Sequence, residues 1–281
     1  MTTMTTTTAT AFQRPTTALP SGHRPATRST GDRARDVGAA LTSDWIKVST
    51  VRVNGALLLL TVLGGVLVSW AVGVLVTDEV QHVAQVGFFW TSVTSMLAAI
   101  GGVLLFGSEV QHGTLAGALA AQPARWVLAV SKTLTAAVLG LVIGAAGLAA
   151  GFGGAVLAGL GAGDTSSLPA SVGWALLFAT LSAVLGLGTA MVVRNTTAAI
   201  AGLLVWGFVV ENLFKLFLAE EVARFLPFTA GNHLLAYNSD FETPRSLAIA
   251  LTQPGNALVF SGYAAVALVL GTVLLYRRDT N

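Results

Sequence analysis

The chain has no cysteine among its 281 residues, and Asp, Glu, Lys and Arg together make up only 10% of it, against about 25% in a soluble domain. The first absence excludes a disulfide framework and thiolate metal sites. The second excludes an ordinary water-facing surface. Also missing is a G-x-x-x-x-G-K-[S/T] loop: Lys132 and Thr133 follow Ser131 with no glycine loop before them, so nucleotide phosphates cannot be cradled by that route. His23, His82, His112 and His233 are scattered, without the paired spacing of a zinc site, and no nucleophile elbow occurs. These gaps leave no metal, no cofactor and no catalytic residue to expect. The net charge of +2 is too small, and its basic residues too dispersed, to point to nucleic acid.

Apolar length is what the chain has in abundance. It is 54% hydrophobic, with a mean hydropathy of +0.74. A membrane-crossing helix needs about 20 mostly apolar residues, and Gly55–Thr77, Val86–Gly107, Thr133–Leu157, Trp174–Val193, Thr197–Phe214 and Gly255–Tyr276 approach or exceed that. Cytoplasmic segments collect Lys and Arg. Of the 15 such residues, only Lys215, Arg224 and Arg245 fall in one long connection on the far side. The rest precede the first span or sit on alternate connections, at Arg125, Lys132, Arg194, Arg277 and Arg278. The expected fold is therefore an all-α membrane protein of six transmembrane helices in the cell membrane, with both termini in the cytoplasm.

Three regions are expected along the chain. Residues 1–36, rich in Thr, Pro, Ser and Arg and without the apolar core of a secretory signal, are expected to form a disordered cytoplasmic tail. Residues 37–54 are amphipathic: Leu41, Trp45 and Val48 recur at helical spacing while Asp44, Lys47 and Arg52 fall largely elsewhere. That suits an elbow helix lying at the headgroup boundary, with a helical extension of the first span as the alternative. Residues 55–278 hold the spans. Within them Gly140 and Gly144, Gly147 and Gly151, and then Gly186 and Gly188 let helix backbones approach closely in lipid, and static packing is favoured over helix motion as their role.

The connection Ser108–Lys132 carries the most local information. A Glu (Glu109) follows the second span, then Gly113-Thr114, a short helix expected over Thr114–Ala121, Pro123 with Arg125 two residues on, and Lys132 entering the third span. Pro stops such a helix. This block resembles the permease subunits of ABC-2 type transporters. Ser43-Asp44-Trp45-Ile46-Lys47 with Arg52 is similar to that family's acidic-aromatic-Lys-Arg elbow, with Asp where Glu is more usual, and Arg194-Asn195-Thr196 to its polar turn between spans four and five. The resemblance covers residues 41–278 in span order and loop character.

The resemblance implies a transport subunit, not an enzyme, that couples to a separate ABC ATP-binding subunit and works as an exporter. It further implies a homodimer, or a heterodimer with a similar permease. Glu109, Gly113, Thr114, Leu115, Leu119, Pro123 and Arg125 then form the coupling region, whose short helix would be the cytoplasmic coupling helix; Asp44, Trp45, Lys47 and Arg52 form the elbow. In purely local terms Glu109 serves to pair with Arg125 or Lys132. Glu211 and Asn212, at the outer end of span five, are candidates for a pathway or gate, or simply outer headgroup-level polar residues. Residues 213–226 suit a surface or re-entrant helix pair, and 231–254, with His233, Tyr237, Asp240 and Phe241, a lid or an outer cap. Two rivals stand beside the permease: a membrane-embedded structural or regulatory subunit without a pathway of its own, and an intramembrane enzyme, for which the spans lack paired polar groups. A reporter fused after Arg278 is expected to register the cytoplasm and one inserted at Asp164 the outside; reversal of either signal would sink the six-span topology.

Overall fold

The computed structural model describes residues 30–50, 52–76, 81–114, 117, 125–235 and 249–277, with only the helical backbone given for 30–36 and 48–50. Helix α1 (Thr30–Thr50) precedes α2 (Arg52–Leu75). A short α3 (Val83–Phe88) runs through a tight turn at Phe89–Trp90 into α4 (Thr91–Gln111). Then come α5 (Arg125–Leu157) and α6 (Leu168–Val193). The next helix reads α7 (Thr196–Val205), a π-helical turn (Trp206–Val210) and α8 (Glu211–Phe217) without interruption. Two short helices, α9 (Glu220–Ala223) and α10 (Pro227–Asn232), lead to α11 (Gln253–Arg277). Among the described residues six helices are long and apolar enough to cross a bilayer: α2, α3 with α4, α5, α6, α7 with α8, and α11. That is the architecture of a multi-pass membrane protein.

These helices run past the apolar windows that mark them in the sequence. The third begins at Arg125 rather than Thr133, so Arg125 and Lys132 stand on helix α5 and not in the preceding connection. The fourth begins at Leu168 rather than Trp174, with Pro169 in its first turn, where the missing N–H costs nothing. Hydropathy marks the part of a helix in hydrocarbon, while its polar ends continue into the interface. Likewise α1 is helical from Thr30, ahead of the expected boundary at residue 37. The expected short helix Thr114–Ala121, with Leu115, Leu119 and Pro123, lies outside the described residues apart from Thr114 and Gly117; so do Tyr237, Asp240 and Phe241.

Burial divides the spans into two sets. More than half of the apolar window is buried in α3–α4, α5 and α6 (61%, 56% and 56%), against 22%, 17% and 22% in α2, α7–α8 and α11. The first set is the core. Helix α2 packs on α5, α11 on α6, and α7 on α4 and α6. Their outer faces present Leu59, Leu63 and Leu67, Val205 and Val209, and Val266 and Val269 outward, as a surface facing acyl chains would.

Contacts between core helices run through small residues. A Cβ added to Gly102 of α4 would strike the Ala183 carbonyl of α6, and one added to Gly186 of α6 would strike the Ala99 carbonyl of α4. A Cβ on Gly140 would lie 2.7 Å from the Ala179 carbonyl, and one on Gly151 would meet the Gly87 carbonyl. Lipid tails remove the hydrophobic drive for helix pairing, so close van der Waals fit must supply it, and at these crossings the fit is backbone on backbone. The sequence motif is thus a packing device. Around it lie Phe106, Leu139, Ile143 and Leu187, all buried.

The turns are set by local chemistry. Arg194 ends α6 in the left-handed region (φ 54°) and Asn195 caps α7, its Oδ1 accepting the Ala198 N–H at 2.9 Å; a C-terminal stop and an N-cap in adjacent residues make the shortest possible reversal. At the opposite end, the Val83 N–H donates to the Gly161 carbonyl at 2.9 Å, tying the entry of α3 to the α5–α6 connection. In that connection the Ser166 backbone N–H, then its hydroxyl, hold the Asp164 carboxyl below the ordinary carboxylate range.

Substituting Gly102 or Gly186 by Val is expected to lower stability by about 1–3 kcal/mol or more, the cost of overpacking a rigid core. Gly153→Ala, where an added Cβ meets nothing within 4 Å, is expected to be neutral. Thermal melts in detergent distinguish these outcomes, and equal melting of all three variants would remove the close-packing account.

Candidate functional site

One end of the bundle gathers Lys47, Glu109, Arg125, Lys132, Arg194 and Arg277, which close α1, α4, α6 and α11 or open α5. The opposite end carries His82, Gly161 and Lys215. The alternation of basic connections along the sequence is therefore a segregation in space.

The centre of the first end is Lys132. It is fully buried (0% exposed), as are Asp44 (3%) and Glu109 (6%). Its Nζ lies 2.9 Å from Glu109 Oε1 and 3.4 Å from Asp44 Oδ1. Lys47, half exposed, shares both acids, at 3.0 Å from Glu109 Oε1 and 3.9 Å from Asp44 Oδ1. The Ser131 hydroxyl donates to Asp44 Oδ2 at 3.0 Å. Two acids and two bases thus form a neutral quartet that joins three helices: Asp44 and Lys47 from α1, Glu109 from α4 and Lys132 from α5. An isolated buried charge costs several kcal/mol, so each of the three buried members requires opposite charge beside it. Among the described residues Glu109 Oε2 has no hydrogen-bond partner.

The sequence patterns around these residues follow from this geometry. Gly113 adopts φ +68°, a conformation open to glycine at little cost, and the Thr114 N–H turns back to the Glu109 carbonyl at 3.0 Å. This is a Schellman-type stop. It ends α4 one turn beyond Glu109 and so fixes the height at which the acid meets Lys132. On α1, Asp44 faces the bundle while Trp45 and Ile46 are exposed at 45% and 56%. An apolar-stripe reading of this segment misses that its most buried side chain is an acid, because burial here is driven by charge pairing.

Arg125 does not brace Glu109. Its Nη1 donates to the carbonyls of Leu275 and Tyr276 at 2.7 and 3.0 Å, placing a cation on the C-terminal end of α11, where unpaired carbonyls and the helix dipole favour it. Of the two partners expected for Glu109, Lys132 is the one observed. The described side chain of Arg52, at the start of α2, is exposed and stands outside the quartet.

Glu211 organises the other end. It is 1% exposed and accepts four hydrogen bonds: from Trp206 Nε1 at 3.0 Å, the Phe228 N–H at 2.8 Å, the Thr229 N–H at 2.8 Å and the Thr229 hydroxyl at 2.9 Å. Phe228 and Thr229 are in the first turn of α10, whose N-cap position is occupied by Leu226, a side chain that cannot cap. Glu211 supplies the cap from another helix, with an anion at the positive end of the dipole. The π-helical turn makes this possible. Residues five apart point about 140° away from each other around an α-helix, but the wider turn brings Trp206 and Glu211 onto one side. No hydrophobic pattern announces a π turn, so the cap is not legible from composition. Asn212 is exposed and donates to its own helix, at the Phe208 carbonyl (2.9 Å). Both residues border a cleft of about 110 Å³ with Ser92, Lys215 and Asn232, well below the few hundred Å³ of a small-molecule site.

Helix α10 itself is buried at Phe228, Thr229, Ala230 and Gly231. Phe228 and Phe178 both meet the ring of Phe260, with centroids 6.0 and 5.1 Å away. The segment before the last span therefore turns back into the bundle, while α9 lies exposed at Glu220 and Glu221. Arg224, directly after α9, donates to the Ile249 carbonyl at 2.7 Å and so ties this segment to the residues just before α11.

Replacing Lys132 by Met leaves two buried carboxylates facing each other and is expected to cost about 3–5 kcal/mol, with α1 released from the bundle. Adding Glu109→Gln is expected to restore part of the loss. Melting in detergent and proteolysis of α1 are the readouts; an unchanged melt for Lys132→Met would show that the quartet does not hold α1. Comparison with known proteins adds no assignment to this geometry: no protein-family model and no curated protein matches the chain.

Proposed function

We propose that this chain is the transmembrane permease subunit of an ATP-driven transporter of the ABC-2 type, working as an exporter in the cell membrane. Hydrolysis takes place on a separate ATP-binding subunit, and a second permease, identical or similar, completes the translocation pathway. The end of the bundle that carries Lys47, Arg125, Lys132 and Arg277 faces the cytoplasm, α1 is the elbow helix, and residues 114–121 form the coupling helix.

The observation that supports this reading best is the quartet. Glu109 and the Gly113 stop immediately precede the 114–124 connection, and Arg125 and Lys132 immediately follow it. Through Glu109 and Lys132, both flanks of that connection are tied by charge to each other and to α1. A push delivered to the connection by a closing ATPase would reach α4, α5 and α1 together, as a coupling element requires. A plain loop would need no such bracing.

The test is association with an ABC ATP-binding subunit, co-expressed and purified in mild detergent; an ATPase gene adjacent to that of this chain would supply it. Leu115→Asp with Leu119→Asp is expected to abolish docking or transport-stimulated hydrolysis while membrane insertion stays normal, because a helix-in-groove contact depends on its apolar anchors. Undiminished association and normal transport in the double variant would remove the coupling role. A stable monomer that never retains an ATPase would favour a structural or regulatory membrane subunit.

A further inference from the structure

An apolar groove of about 460 Å³ runs between α5 and α11 at the same end of the bundle as the quartet. Two stripes form its walls. On α5, Ala129 and Thr133 continue one turn back to Arg125; on α11, Val269 and Val273 continue one turn on to Arg277. At four-residue spacing each stripe lies along one side of its helix, so both walls end in an arginine at the same mouth. Trp126 and Tyr276 flank that mouth, 43% and 48% exposed. The walls extend over nine residues on each helix, from Trp126 to Leu134 and from Leu268 to Tyr276, or about 12 Å from first to last.

We infer that this groove is a binding site for an anionic phospholipid, with one acyl chain lying between α5 and α11 and the phosphate at Arg125 and Arg277. Charge complementarity carries the assignment. Arg125 spends Nη1 on the α11 carbonyls, and a guanidinium has five N–H donors, so others remain for a phosphate. Arg277 is exposed. Among the described residues neither arginine forms an ion pair with a carboxylate. The groove walls are almost wholly apolar, and the aromatic pair sits at headgroup level, where Trp and Tyr concentrate. Basic pockets between membrane helices capture acidic headgroups by this combination. The bound lipid would also screen the arginine that caps α11, linking the local lipid charge to the position of the last span.

Native mass spectrometry of the full chain, released from detergent with equal phosphatidylglycerol and phosphatidylcholine, tests the site. The wild-type protein is expected to retain phosphatidylglycerol over phosphatidylcholine, and Arg277→Gln to lose about fivefold of that preference, the contribution of one basic residue near a charged lipid surface. Val273→Trp fills the groove without touching either arginine, and is expected to reduce retention of both lipids while the melting temperature holds. Equal retention of the two lipids by the wild-type protein would overturn the proposal, as would unchanged retention in the filled variant. A lipid-independent dimer that Val273→Trp dissociates would also overturn it, identifying the groove as a contact between copies.

Discussion

A lysine ammonium with no access to water, inside a bundle built for hydrocarbon, constrains everything around it. The charge of Lys132 is met by anions in contact, and the acids that provide them come from two other helices, Asp44 from α1 and Glu109 from α4. Neither acid tolerates that depth without the lysine. The arrangement is therefore mutual: α1 cannot leave without exposing the demand of Lys132, and α4 cannot slide by a turn without separating Glu109 from it. Such an ion cluster adds little net stability relative to an apolar core, but removing a single member is expensive. Its effect is to specify a register between helices that apolar packing alone would leave free to slip.

The same logic recurs at the opposite end in another form. Glu211 reaches from one helix to the first turn of another, and the π turn before it orients the carboxylate. Between these two polar anchors the bundle is held by small-residue crossings, where Gly102, Gly140, Gly151 and Gly186 bring backbones into contact. This division of labour follows from the solvent. In lipid, apolar contact does not by itself choose partners, so the fold relies on close backbone fit in the middle and on directional bonds at the ends. Of the three core helices, α4 and α5 meet both constraints, and α6 joins them through backbone fit. The outer helices α2, α7–α8 and α11 are held on one side only, which is why most of their apolar surface remains exposed.

What could be read from the sequence, and what could not, divides along the same line. Span number and order follow from run length because the cost of unpaired backbone in hydrocarbon admits few alternatives to a helix. The Arg194-Asn195 turn is visible as a polar break, and opposite charges on neighbouring helix ends leave Glu109 two candidate partners, Arg125 and Lys132, of which the structure takes Lys132. Hydropathy could not show that Arg125 continues α5 or that α1 begins at Thr30, since helical hydrogen bonding persists beyond the apolar window. The partner of Arg125 is not legible for a physical reason: the negative end of a helix competes with a carboxylate for a guanidinium, and sequence displays carboxylates but not helix ends. The apolar stripe on α1 concealed the burial of Asp44, because a periodicity argument treats every charge as outward-facing. Glu211 stands out in the sequence as a gate candidate or a headgroup-level acid, but its partners include two backbone N–H groups of a helix seventeen residues away, reached through a π turn that leaves no compositional trace.

A functional consequence follows from which quartet member meets water. Lys132, Asp44 and Glu109 are sealed in, while Lys47 is half exposed. The inner three join α1, α4 and α5 out of reach of water, and the outer lysine adds a second link from α1 to Glu109. Interactions between exposed charges are weak and screened, whereas buried ones are strong, so the Lys47 link is the one that a partner chain or a change in ionic environment can reach. The register of α1, α4 and α5 therefore rests on three charges that water does not reach, while Lys47 leaves an adjustable contact at the edge of the cluster.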